Sequence, residues 1–263
     1  MNRRLFLQGL TGTALVAGGV AYGFDTHDLE VPSVPVRVGL SRPWRMAVLG
    51  DIHFDPLYEV DYLTAVMNQI TALKVDLVAF TGDFISNEVS RMAMLARILA
   101  GAESKIGSFA VLGNHDHWRS PAIVMAHLQR QGIRMLENAC FALPGESGVF
   151  LSGLQSFWAG RPRPEVIAQT PPDSRHIVLV HEPDPFTQLD DPRIRLQISG
   201  HTHGGQVRIP FVGAVIQPEW GKKFNAGLFA REDRFLYVNR GLGTLTPHIR
   251  FNCRPEVTLF ELS

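Results

Sequence analysis

Neither sign of charge is in excess in this chain: 25 lysines and arginines stand against 25 aspartates and glutamates. A neutral protein has no global field to draw it onto nucleic acid or an anionic membrane, so phosphate recognition must be local and a nuclease is disfavoured. Cysteine is scarce too: Cys140 and Cys253 are the two present, far apart in sequence, and free structural thiols are the expectation. Internal repeats and low-complexity tracts are missing beyond the first residues. What is present, 263 residues of which 45% are hydrophobic and 19% charged, suits one large α/β domain with a full core.

Residues 1–24 differ in composition from the rest. Arg3 and Arg4 precede Leu5, Phe6 and Leu7, and a Gly-, Ala-, Leu-, Thr- and Val-rich run continues to Phe24. This reads as an export signal of the twin-arginine type, whose machinery carries folded proteins, and places the protein in the periplasm or on the outer face of the cytoplasmic membrane. No clean Ala-x-Ala marks a cleavage point, so an N-terminal membrane anchor is the alternative. Residues 25–43, rich in proline, form a linker or first edge strand, and residues 44–263 the catalytic domain.

From Trp44 onward, short runs of Val, Ile, Leu and Phe alternate with segments of helical periodicity, the pattern of repeated βαβ units. Strands are expected at 45–49, 76–80, 108–112, 177–180 and 196–199, and crossover helices at 60–73, 88–100 and 121–130. Each strand ends at a polar cluster: Asp51 and His53, then Asp83, then Asn114, His115 and Asp116, then His181, then His201 and His203. Ligands gather at the carboxyl ends of strands in open α/β sheets, so these five clusters converge on one crevice.

Asp51 and His53 are two residues apart, and His201 and His203 repeat the spacing; in extended backbone such pairs project from one side and grip one cation. Carboxylate, imidazole and amide donors suit manganese, iron or zinc better than calcium. Asp83 has two oxygens with which to bridge a pair of ions. Any one of these short patterns is commonplace; five in order, each after an apolar run, are not.

The five blocks resemble those of the calcineurin-like metallophosphoesterase superfamily, and Arg240–Gly243 with Arg250, Phe251 and Asn252 resembles its exported, membrane-associated YkuE/YaeI branch. The resemblance implies a four-layer α/β sandwich of two mixed sheets flanked by helices. It implies two divalent metal ions, one on Asp51, His53 and His203, the other on Asn114, His181 and His201, with Asp83 between. It further implies that His115 binds no metal but faces the scissile phosphate and protonates the leaving oxygen, with Asp116 orienting its ring.

Among the remaining residues, His117 with Trp118, and Lys222 and Lys223, are candidates for lining the substrate groove. Glu182 and Asp184 are either partners of the ligating imidazoles or ordinary loop carboxylates. Segment 204–227 reads as a lid in which Trp220 and the lysines could meet a lipid interface. No Ser, Cys or His is left in a clear nucleophile arrangement, so the expected chemistry is phosphoester hydrolysis by a metal-bridging hydroxide without a phosphoenzyme. Export favours an envelope phosphodiester or pyrophosphate, on a phospholipid or nucleotide-sugar lipid; a phosphomonoesterase and a non-catalytic scaffold are the alternatives.

Overall fold

The computed structural model describes residues 26–54 and 60–263; the export-signal reading lies outside them. In chain order the strands are β1 (Ser33–Val36), β2 (Trp44–Leu49), β3 (Leu77–Phe80), β4 (Gly107–Ala110), β5 (Arg134–Met135), β6 (Ala139–Ala142), β7 (Val149–Gly153), β8 (Arg175–Leu179), β9 (Ile194–Ser199), β10 (Arg208–Ile209), β11 (Gly213–Ala214), β12 (Gly227–Arg231), β13 (Arg234–Val238) and β14 (Thr258–Leu262). The helices are α1 (Val60–Ala72), α2 (Met92–Leu99), α3 (Asn114–Arg119), α4 (Pro121–Arg130) and α5 (Glu165–Ala168).

Two six-stranded mixed sheets result, ordered β1-β14-β2-β3-β4-β5 and β12-β13-β9-β8-β7-β6. The cause is visible in the central strand sequences, which are mostly apolar on both faces because both faces are covered. Ala47, Leu49, Val78 and Phe80 pack toward Leu63, Met67, Leu95 and Val124 on the helices. Their neighbours Met46, Val48, Leu77 and Ala79 point the other way, against Leu151, Ile177, Leu196 and Ile198 of the second sheet. The far face of that sheet packs Val178 and Ile194 against Ile167 of α5. Helices, sheet, sheet and helix therefore form four layers.

The parallel pairs β2–β3, β3–β4, β7–β8 and β8–β9 bring their carboxyl ends to one rim. Two boundaries differ from expectation for a physical reason. Helix α2 starts at Met92 instead of residue 88, because Ser86 is taken up by the site and its carbonyl faces the His115 ring. A short helix, α3, begins at Asn114, where the Asp116 carboxylate reaches back to accept the Gly113 N–H, the one half of a capping box that a glycine N-cap allows. Strand β1 pairs with β14 at the edge of the first sheet, so the chain enters that sheet before Trp44. No helix among the described residues is long and apolar enough to cross a membrane.

Phe260, at the centre of β14, is fully buried between the sheets. Phe260→Ala is expected to remove about 3–5 kcal/mol from the unfolding free energy, read from the midpoint of a urea transition.

Candidate metal centre

The seven candidate ligands meet at the common rim, all nearly or wholly buried. They do not sit on extended backbone. Asp51, His53, Asp83, His201 and His203 have φ between +46° and +74°, so the two spaced pairs converge by left-handed kinks at the strand ends. Such residues cost roughly 1–3 kcal/mol each and persist where the surroundings over-determine them.

Those surroundings are a mesh of loop-to-loop hydrogen bonds. Asp51 N–H donates to the Gly82 carbonyl, and the Ile52 and His53 N–H groups to the Asp83 carbonyl. Asp51 in turn accepts the His201 N–H on both oxygens at 2.9 Å, and Asp83 accepts the His115 N–H at 2.9 Å. These approaches need glycine beside them. A Cβ at Gly113 would lie 2.1 Å from Asp83 Oδ1, and one at Gly200 would lie 2.3 Å from Asp51 Oδ2.

The donor atoms fall into two sets. His53 Nε2 and His203 Nε2 are 3.0 Å apart, with Asp51 Oδ1 3.7 Å from the latter. His181 Nε2 is 3.2 Å from His201 Nδ1. Asp83 Oδ2 stands between the sets, 3.6 Å from His53 Nε2 and 3.2 Å from His181 Nε2. Asn114 Oδ1 is buried with no hydrogen-bond partner.

Ring orientation is set from behind. His181 Nδ1–H donates to the Thr81 carbonyl at 2.8 Å, and His201 Nε2–H to the Glu219 carbonyl at 2.7 Å. Because a carbonyl can only accept, in the neutral rings the opposite nitrogens carry lone pairs that face each other. Buried lone pairs about 3 Å apart repel unless a cation or proton lies between them, so this donor set fits metal ions.

Electrostatics agree. Burial pushes the Asp51 carboxyl up to about 7, with Asp83 adding to the rise. Burial holds His53 down to about 3 and His203 well below its ordinary value. Burial opposes ionisation of both Asp83 and His181, but their mutual attraction wins: Asp83 stays well below the carboxylate range and His181 well above the usual imidazole value.

His115 lies at the mouth, half-buried, its ring centroid 4.9 Å from that of His53. Its Nδ1–H donates to the Ser86 carbonyl at 3.0 Å. The expectation that Asp116 orients this ring is not met. The Asp116 carboxylate instead accepts the backbone N–H groups of Phe84, Ile85 and Gly113, tying the Asp83 loop to the start of α3. Burial and the Asp83 charge push it up to about 8.

Of the substrate-groove candidates, Trp118 lies beside His115, while His117, Lys222 and Lys223 are engaged elsewhere. His117 Nε2 lies 3.5 Å from Glu137 Oε2, with its side chain largely covered. Lys222 Nζ pairs with Glu219 and Lys223 Nζ donates to Thr187, while both backbone N–H groups donate to Asp184. Glu182 accepts from Ser156 and Phe157, so it and Asp184 organise loops and touch no ligating ring. The groove's aromatic lining is a tryptophan pair: Trp118 lies 5.2 Å from His115 with the rings tilted at 57°, and Trp158 lies 4.7 Å from Trp118 and 5.6 Å from His201. Trp158 was not singled out in the sequence, although it follows the apolar run of β7 as the other clusters follow theirs.

Ser152 Oγ and His176 Nδ1, 2.7 Å apart, have the makings of an activated nucleophile, but both are fully buried and Ser174 holds the other ring nitrogen. Cys140 and Cys253 are both free.

The fold and the clustered Asp and His donors are those of a metal-dependent phosphoesterase. Residues 45–205 match the calcineurin-like phosphoesterase model, and the chain belongs to that family. It is 32% identical to the uncharacterized metallophosphoesterase YkuE of Bacillus subtilis, across 100% of this chain and 98% of that one. It is 30% identical to the phosphodiesterase YaeI of Escherichia coli, across 100% and 99%. It is 27% identical to the UDP-2,3-diacylglucosamine pyrophosphatase LpxG of Chlamydia trachomatis, across 87% and 86%. A dimetal phosphatase from Danio rerio shares the fold at a TM-score of 0.50 and 11% identity, over 76% of this chain and 88% of that one. The chain is accordingly a hydrolase acting on phosphoesters.

Metal loading must strip protons from Asp51 and His181, whose folded-state values are raised. Below about pH 7 the Asp51 proton is added to the competition, so affinity falls as pH drops through 7 and binding releases more protons at about pH 6 than at about pH 8. Calorimetric titration with manganese in buffers of different ionisation enthalpy checks this; equal proton release at both pH values contradicts it.

Proposed function

We propose that the protein hydrolyses a phosphodiester or pyrophosphate of the cell envelope, carried by a phospholipid or nucleotide-sugar lipid, at a centre of two divalent cations. The observation that carries this reading is the pair of donor sets that meet at Asp83, Asp51, His53 and His203 on one side and His181 and His201 on the other; the buried, unpartnered Asn114 Oδ1 supports Asn114 as the further donor of the second. Manganese, iron and zinc match these donors. The phosphodiesterase and pyrophosphatase names of two relatives support attack at a phosphorus flanked by two substituents. The paired arginines Arg3 and Arg4 support export by the twin-arginine machinery to the outer face of the cytoplasmic membrane.

When bound, the cations supply positive charge for the phosphoryl oxygens and make a coordinated water acidic near neutral pH. The remaining work belongs to the chain. The left-handed strand ends hold the donors in place before substrate arrives, so no reorganisation is needed at the moment of reaction. With His115 Nδ1 committed to the Ser86 carbonyl, Nε2 is the atom that gains a proton and gives it to the leaving oxygen. Asp116 acts on this step through the backbone, fixing the loop that carries Asp83 against the helix that carries His115. Trp118 and Trp158 cover the mouth and limit water on the leaving-group side.

Turnover of a chromogenic phosphate diester and monoester by manganese-loaded protein tests the reading. Asp83→Ala is expected to lose metal binding and diester turnover together. His115→Ala is expected to keep its metals while kcat falls about 10²–10⁴-fold. An unchanged kcat in His115→Ala would remove it from the role of acid.

A further inference from the structure

The hairpin of β10 and β11 stands beside the metal centre, with its chain continuing through Val215, Ile216 and Pro218. Opposite it runs the loop from Leu245 to Ile249. Between them is a cavity of about 420 Å³ walled by Val207, Val215, Ile216, Pro218, Leu245 and Ile249. Its lining also includes His201 and His203, one from each donor set.

Two of the polar side chains along this wall, Gln206 and Thr202, are already engaged. Gln206 donates to the Leu245 and Pro247 carbonyls and accepts the Leu245 N–H, and the Thr202 hydroxyl donates to the Asn225 carbonyl. The same Gln206 bonds tie the loop to the base of the hairpin, so the cavity is preformed. Water inside it finds few of the polar partners it requires, whereas an apolar occupant loses nothing. The carbon surface continues outward: Ile216 is 70%, Val212 74% and Phe211 fully exposed, along one side of the hairpin. A patch of this kind marks a place where lipid or another apolar body is met.

We infer that this cavity seats an acyl chain of the substrate, so that the phosphoester cleaved here is a lipid one and its chain runs from the metal centre along the hairpin. The inference rests on the phosphoesterase reading above. Continuity decides among occupants. Because His201 and His203 belong to the cavity wall, whatever fills it next to a bound phosphate is part of the molecule that carries that phosphate. On the hairpin side, Arg208 donates to the Gly204 carbonyl and the Asn225 amide oxygen, and Lys222 pairs with Glu219, so both cationic side chains already hold partners outside the apolar wall.

The test uses p-nitrophenyl alkyl phosphates, diesters with one chromogenic leaving group and an alkyl chain from ethyl to decyl, each below its micellar concentration, with manganese-loaded full-length protein. kcat/KM is expected to climb with chain length by up to about fourfold per methylene until the cavity is filled. Ile216→Asp, at an exposed position, is expected to lower kcat/KM for the decyl ester by about tenfold or more while leaving the ethyl ester unchanged. Ile216→Leu is expected to restore the slope, and Leu228→Asp, on the exposed face of β12, to leave both esters as in the parent. A flat chain-length profile with diester turnover intact overturns the acyl seat alone, as does an equal loss on both esters in Ile216→Asp. Absence of turnover on every ester overturns the phosphoesterase reading beneath it.

Discussion

The Asp83 carboxylate lies 3.2 Å from His181 Nε2 and 3.6 Å from His53 Nε2, and the geometry of the site hangs on that placement. Its other oxygen accepts the His115 N–H, and its own carbonyl accepts the N–H groups of Ile52 and His53. One residue at the end of β3 thus joins the Asp51 loop, the helix bearing His115 and both donor sets. The second sheet reaches the same point through His181, whose ring is held by the Thr81 carbonyl of the first. The two sheets pack through a largely apolar interface, crossed at one end by the buried Tyr237–Glu256 and Asn239–Thr258 hydrogen bonds, and that packing delivers the second sheet's three histidines to a carboxylate on the first.

Holding such a site is costly in its metal-free form. Aspartates and imidazoles are taken out of water, five of the ligating residues adopt left-handed backbone, and imidazole nitrogens face one another. The surrounding fold offsets this with apolar burial on both faces of each sheet and with backbone bonds between loops. Arg250, buried, donates to the carbonyls of Arg240, Gly241 and Gly243 and braces the loop that lies under Asp51. Rigidity of this kind prepares the donors for cations and leaves the chemistry to the mouth, where His115 and the two tryptophans are accessible.

The strands were legible because burial on both faces leaves an unbroken apolar run, and the ligands were legible because each follows such a run directly. The helix at Asn114 was hidden in a polar cluster, although Asp116 three residues after Gly113 is a capping signal. Asp116 itself was misjudged: proximity in sequence to His115 suggested a ring partner, whereas the backbone N–H groups it serves come from a loop some thirty residues away. The atoms that do orient the rings, the carbonyls of Thr81, Ser86 and Glu219, carry no side-chain signature at all. The lysines of segment 204–227 suggested a lining for the substrate groove, yet the structure turns them outward and presents the hairpin's apolar residues beside the centre.

In the function we propose, Asp83 is shared between two cations. Electron paramagnetic resonance of the manganese-loaded protein tests it most directly, because two ions joined through one carboxylate couple magnetically and isolated ions do not. A spin-coupled signal in the parent protein that disappears in Asp83→Ala is the result expected. The spectrum of isolated ions alone, in a sample that turns over phosphate diester at its full rate, would contradict the account.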